Sequence, residues 1–122
     1  MARLLIVEDT PANMVLVTML LEGGGHTLFQ AERAPPAIDI ALRERLDLIL
    51  MDIQLPGMDG IEATRILKAD PRTRHVPVLA LTVFAMKGDR ERLLQAGCDG
   101  YIEKPINYVD FLAQVAAIIG RS

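Results

Sequence analysis

Five side chains capable of chemistry stand at the ends of short apolar runs in this sequence. Glu8 and Asp9 follow RLLIV (3–7), and Asp52 closes LILMD and leads into a Pro56-Gly57 turn. Thr82 follows PVLAL (77–81), and Lys104 with Pro105 follows CDGYI (98–102). A carboxylate at the end of a buried run is costly unless a cation meets it or it reacts. If these run ends converge, the three acids repel one another and take up protons unless a cation sits among them. One lysine cannot balance three acids, and an all-oxygen cluster suits Mg²⁺. An aspartate beside such an ion can act as a nucleophile, forming an acyl phosphate. The ammonium of Lys104, the hydroxyl of Thr82 and free backbone N–H groups would then stabilise the phosphoryl group.

That convergence depends on the elements between the runs. RLLIV, TLFQA (27–31), DLILM (47–51), PVLAL and CDGYI read as strands, and three of them are apolar almost throughout, as in parallel strands covered on both faces. Helical patterns separate them. Thr10-Pro11 starts the first helix, Met14, Val17 and Leu21 form its core stripe, and Gly23–Gly25 stop it. AIDIALRER follows Pro35 and Pro36, IEATRILKAD runs from Gly60 toward Pro71, and GDRERLLQAG ends on Gly97. The last helix places Val109, Leu112, Val115 (or Ala116) and Ile119 at core spacing. Five β-α alternations predict an α/β fold, a doubly wound five-stranded parallel sheet. Loops at the carboxyl ends of its strands form one crevice, so the five groups share a mouth. The second strand contributes only Glu32 and Arg33 there.

The 122 residues suffice for one domain, expected to span 1–122 with no output domain. Net charge is −3 with no block of Lys or Arg, which argues against a nucleic-acid surface. A single cysteine, Cys98, rules out an internal disulfide and reads as a small buried hydrophobe. The apolar stretch before Glu8 is too short for a signal peptide, and MVLVTMLL is far below membrane-spanning length, so a cytoplasmic location is expected. His26 and His75 have no partner at metal-ligand spacing. A nucleotide site is disfavoured, because VEDTPAN would repel a phosphate ester and no G-x-G-x-x-G follows a strand.

LLIVEDT, LILMDIQLPGMDG, LALT and EKPI, in that order, resemble the receiver domain of two-component response regulators across essentially the whole chain. LILMDIQLP, FAMKGD and the Gly97-Cys98 pair are most similar to the single-domain, DivK-like type. The resemblance implies the CheY-like, flavodoxin-like strand order 2-1-3-4-5. It makes Asp52 the acceptor of a phosphoryl group from the phosphohistidine of a histidine kinase or histidine phosphotransfer domain. Asp9, Asp52 and the Gln54 carbonyl would ligate Mg²⁺, with Glu8 acting mostly through water. Thr82 and Lys104 would meet the phosphoryl oxygens, Tyr101 would be an aromatic switch, and the Lys104-Pro105 bond would be cis. A separate target protein would receive the signal.

One position departs from the family pattern. Val83 stands where a small residue is usual; its N–H should still reach the phosphoryl group, but its branched side chain narrows the approach. Val15 and Met19 on the first helix suit a docking face for a phosphotransfer helix, and equally a broadened core. Phe111 and Ile118 on the last helix raise the same question for an output face. Taken alone, Asp52 also fits a turn cap, and Asp59 fits a structural role before Gly60. Two rival readings are a receiver that signals without phosphorylation and one cut from a hybrid kinase. A third is a Mg²⁺-dependent phosphohydrolase of the haloacid-dehalogenase type, weakened because Gln54 stands where that chemistry needs a second aspartate.

Overall fold

Each of the five runs read as strands forms one, and a helix follows each. The computed structural model describes residues 2–83 and 87–120; Phe84–Met86, the first half of FAMKGD, lie outside it. The elements are β1 (Arg3–Val7), α1 (Pro11–Glu22), β2 (Thr27–Ala31), α2 (Ala34–Arg43), β3 (Leu48–Asp52), α3 (Gly60–Ala69), β4 (Val78–Thr82), α4 (Lys87–Ala96), β5 (Gly100–Glu103) and α5 (Tyr108–Ile119). The strands pair in parallel in the order β2-β1-β3-β4-β5, as expected. No helix among the described residues is long and apolar enough to cross a membrane.

Alternation along the strands makes two cores. Leu5, Val7, Ile49, Met51 and Ala80 face α2, α3 and α4. Leu4, Ile6, Leu48, Leu50 and Leu81 face α1 and α5. Every residue of β3 and β4 is buried, which is why their sequences carry no polar alternation.

Several boundaries differ from the sequence reading, and two differences matter for function. Asp52 and Thr82 are the last paired residues of their strands, Asp52 opposite Leu81 and Thr82 opposite Glu103. Their backbones are thus fixed by the sheet. β5 begins two residues later than CDGYI suggests, with Cys98 buried in the turn before it. Pro35 and Pro36 lie inside the first turn of α2, where a missing N–H leaves no broken helix bond. Thr10 precedes α1 as expected, but its hydroxyl makes no capping bond.

The last helix is rotated from its predicted phase. Phe111, Val115 and Ile118 are buried, while Val109 is 61% and Leu112 38% exposed. Phe111, read as a possible docking residue, is fully buried, and Ile118 packs in the same core. α5 carries two apolar stripes, so spacing alone does not set its phase. The stripe holding the larger ring wins, because burying a phenylalanine stabilises by roughly 1.5–3 kcal/mol. Asn107 then fixes the start of the helix by accepting the N–H groups of Val109 and Asp110 at 3.0 and 3.2 Å.

Candidate active site at the carboxyl end of the sheet

Three strand ends bring the chemistry together. Glu8 follows β1, and its N–H still donates to Ala31 across the sheet, which holds its side chain in the interior at 0% exposure. Asp52, on the central strand, is 1% exposed. Lys104 follows β5, and its N–H donates to the Thr82 carbonyl at 2.7 Å. From there its side chain crosses the ends of β4 and β3. The ammonium Nζ lies 2.8 Å from Glu8 Oε1 and 3.3 Å from Asp52 Oδ2. Lys104-Pro105 is cis, as the resemblance implied.

Asp9 is exposed at the rim, yet one oxygen from each of Glu8, Asp9 and Asp52 lies within 4.8 Å of the others. Backbone donors supplement the lysine. The N–H of Gln54 donates to Asp52 Oδ1 at 3.0 Å, and that of Thr10 donates to Glu8 Oε2 at 3.2 Å. Thr82 is buried and opens with Gln54 and Asp59 onto one hollow. Val83 beside it is 50% exposed, at the mouth. Tyr101 opens onto a different hollow, with Leu94 and Asp110. Val15 and Met19 are exposed and share a groove with Glu8 and Asp9.

The charges do not balance within this cluster. Burial, then the hydrogen bond and negative charge of Glu8, push the Asp52 carboxyl from its ordinary 3.8 up to about 7. Burial also opposes ionisation of Glu8. Its hydrogen bonds to Asp52, Lys104 and Thr10 prevail, and its pKa falls below the usual carboxylate value. Just below neutral pH the two carboxyls therefore hold one proton between them. An oxygen-only set that retains a proton for want of positive charge fits a hard divalent ion.

The turn after β3 fixes the backbone around Asp52. Asp59 caps α3 by accepting the Glu62 N–H at 2.9 Å, the structural role expected for it. Gly60 donates its N–H to Ile53 at 2.9 Å, folding the turn back on the strand. A Cβ on Gly60 would come within 2.3 Å of the Asp52 carbonyl oxygen and 2.8 Å of Ile53 Cα, both backbone. Gly60→Ala is therefore expected to move the end of β3 and to destabilise by about 2–3 kcal/mol, within the range for overpacked cores, as measured by urea unfolding.

Asp89 and Arg92, near the start of α4, complete the Thr82 hollow and were not singled out from sequence. Both lie among alternating charges of an exposed helix, a pattern that looks like solvated surface.

Comparison with known proteins agrees with this geometry. The profile of the response regulator receiver domain matches residues 4–116. The polar-differentiation response regulator DivK of Brucella anthropi is 47% identical over 116 residues, covering 95% of this chain and 94% of that one. DivK of Brucella abortus is 46% identical over the same coverage. Among solved structures, the receiver domain of a sensor histidine kinase from Pseudomonas aeruginosa has a magnesium ion coordinated in its active site cleft. It superposes with a TM-score of 0.90 at 38% identity, covering 98% of each chain. The receiver domain of a signal transduction histidine kinase from Syntrophus aciditrophicus superposes with a TM-score of 0.90 at 32% identity, over 98% of this chain and 91% of that one. This chain belongs to the receiver domains of two-component response regulators, and its similarity to DivK extends over nearly its whole length.

Proposed function

We propose that this chain accepts a phosphoryl group onto Asp52 from a phosphohistidine of a histidine kinase or phosphotransfer domain, and passes the signal to a separate target protein. The observation that carries this reading is the Lys104 ammonium, seated between the buried carboxylates of Glu8 and Asp52. Glu8, Asp9, Asp52 and the Gln54 carbonyl are the groups that would hold Mg²⁺, whose charge would be shared with the phosphoryl oxygens.

The protein's own residues do the rest. An Asp52 oxygen attacks phosphorus as the N–P bond of the donor breaks, and the leaving imidazole takes up a proton from solvent. Asp52 must be ionised to attack, so its raised pKa makes the metal-free carboxylate a poor nucleophile below neutral pH. Lys104 stays beside Asp52 and offers its charge to the new phosphoryl group, and the Thr82 hydroxyl and Val83 N–H serve as further donors. Tyr101 changes position with Thr82 and alters the face formed by α4 and β5. Val15 and Met19 receive the donor helix beside the acids. Turnover of a free substrate is not part of this role, and the expected setting is the cytoplasm.

Borohydride reduction after incubation with a phosphorylated phosphotransfer domain tests the site itself. An acyl phosphate at Asp52 is reduced to homoserine at position 52, found by peptide mass mapping. Modification of a different residue would refute the assignment. Val83→Ala should speed labelling of Asp52 by acetyl phosphate several-fold, because it removes two methyl groups from the mouth. An equal or slower rate would refute the steric role of Val83.

A further inference from the structure

A contact between α4 and β5 ties down Tyr101, and neither the sequence motifs nor the phosphoryl chemistry accounts for it. The Arg90 guanidinium lies over the Tyr101 ring, its central carbon 5.3 Å from the ring centroid. That is within range for a cation–π attraction. Arg90 is exposed and forms no ion pair among the described residues; Asp89 and Arg92 pair with each other at 3.8 Å. One turn along the helix, Leu94 lines the hollow onto which Tyr101 opens. Arg90 and Leu94, one turn apart on α4, thus both border the space around the Tyr101 ring.

The sheet register shows what this contact opposes. Tyr101 pairs with Ala80, and Thr82 lies two residues beyond Ala80, on the same face of the sheet. Thr82 opens onto the nucleophile's hollow, whereas Tyr101 opens onto the outer one. A ring moving toward Thr82 has to leave the guanidinium.

We infer that Arg90 is a latch on Tyr101, holding the ring in its outer position and α4 against β5, and so setting how readily the domain switches. The inference rests on the reading of Tyr101 as a switch coupled to Asp52. The latch adds a regulatory residue on α4 that makes no contact with the reacting groups. Loss of a cation–π contact at an exposed site should shift the balance between ring positions roughly two- to fivefold. By linkage, the affinity for a phosphoryl mimic that prefers the inner position should rise by the same factor.

The test uses the full chain with Tyr108→Phe, which leaves Tyr101 as its one tyrosine, labelled as 3-fluorotyrosine and followed by ¹⁹F NMR. Spectra are taken at rest and with Mg²⁺ and beryllium fluoride, with bound beryllium fluoride quantified by titration. Arg90→Met, which keeps the aliphatic stem, should move the resting resonance part of the way toward the liganded position. It should also tighten beryllium fluoride binding roughly two- to fivefold. Arg90→Lys should fall between Met and the natural residue. Coincident Arg90→Met and Arg90 spectra, with the Arg90 protein still shifting on ligand, would overturn the latch and leave the switch standing. If the ligand binds but the Tyr101 resonance of the Arg90 protein does not move, the switch reading fails and takes the latch with it.

Discussion

Asp52→Asn is expected to abolish phosphoryl uptake and, at the same time, to stabilise the metal-free protein at pH 8. The stabilising effect follows from the charge imbalance at the strand ends. Asp52 ionises at about 7 in the folded chain, against its ordinary 3.8. Between those values the unfolded chain has released the proton and the folded chain has kept it, so stability falls as pH rises through that window. Above pH 7 the full penalty applies, of the order of 4 kcal/mol at ~1.36 kcal/mol per pH unit of separation. Asparagine removes the ionisation, can still accept the Gln54 N–H, and leaves Lys104 to Glu8. Glu8, whose pKa is lowered, acts in the opposite sense: its contribution is present above the ordinary carboxylate value and is lost as pH falls through its folded value. Urea unfolding at pH 5 and pH 8 checks the sign. The gain from asparagine should be larger at pH 8, and added Mg²⁺ should stabilise the Asp52 protein more than the variant. A variant less stable than the parent at pH 8 would contradict this electrostatic account.

Lys104→Met is expected to cost about 3–5 kcal/mol at pH 8 in the absence of divalent ions, the range for removing one partner from a buried ion pair. Glu8 is fully buried, and its side chain has one cationic partner among the described residues. Without it, two carboxylates face each other with backbone N–H groups alone to oppose their charge. The loss should shrink at pH 5, where protons replace the missing charge, and Mg²⁺ should recover part of it at pH 8. The phosphorylated state should be affected separately, because its phosphoryl group loses the ammonium. A loss under ~1 kcal/mol at pH 8 would mean that the ion pair behaves like a solvated surface contact.

The two variants act in opposite directions on stability for one reason. With Lys104 as its one cation among the described residues, the site carries excess negative charge. Removing an acid relieves that excess, and removing the lysine increases it. Sites built to react are often less stable than they could be, and this cluster has that character.

The sheet and its acidic edge were legible because the apolar runs are short, three of them nearly unbroken, and each is followed by a polar group. β1 and β2 coincide with RLLIV and TLFQA. Asp52 and Thr82 were placed just outside their strands, because polarity marks the end of an apolar run while hydrogen bonding marks the end of a strand. The phase of α5 was not legible: Phe111 and Leu112 belong to alternative apolar stripes, and packing against β1, β3 and β4 decided between them. Nor was the seat of Lys104. Its ammonium reaches Glu8 from the opposite side of β3 and β4, and that distance depends on strand order and on the length of a lysine stem. Arg90 over Tyr101 was hidden for a related reason, since an arginine on a charged helix carries no sign of the ring beneath it.

The most direct test of the central claim is intact-protein mass spectrometry after incubation with a phosphorylated histidine phosphotransfer domain, with and without Mg²⁺ and with Asp52→Asn as control. The account predicts one added phosphoryl group, dependent on Mg²⁺ and absent from the variant. Phosphoryl gain by the Asp52→Asn protein, or no gain by the parent despite measurable Mg²⁺ binding, would contradict it.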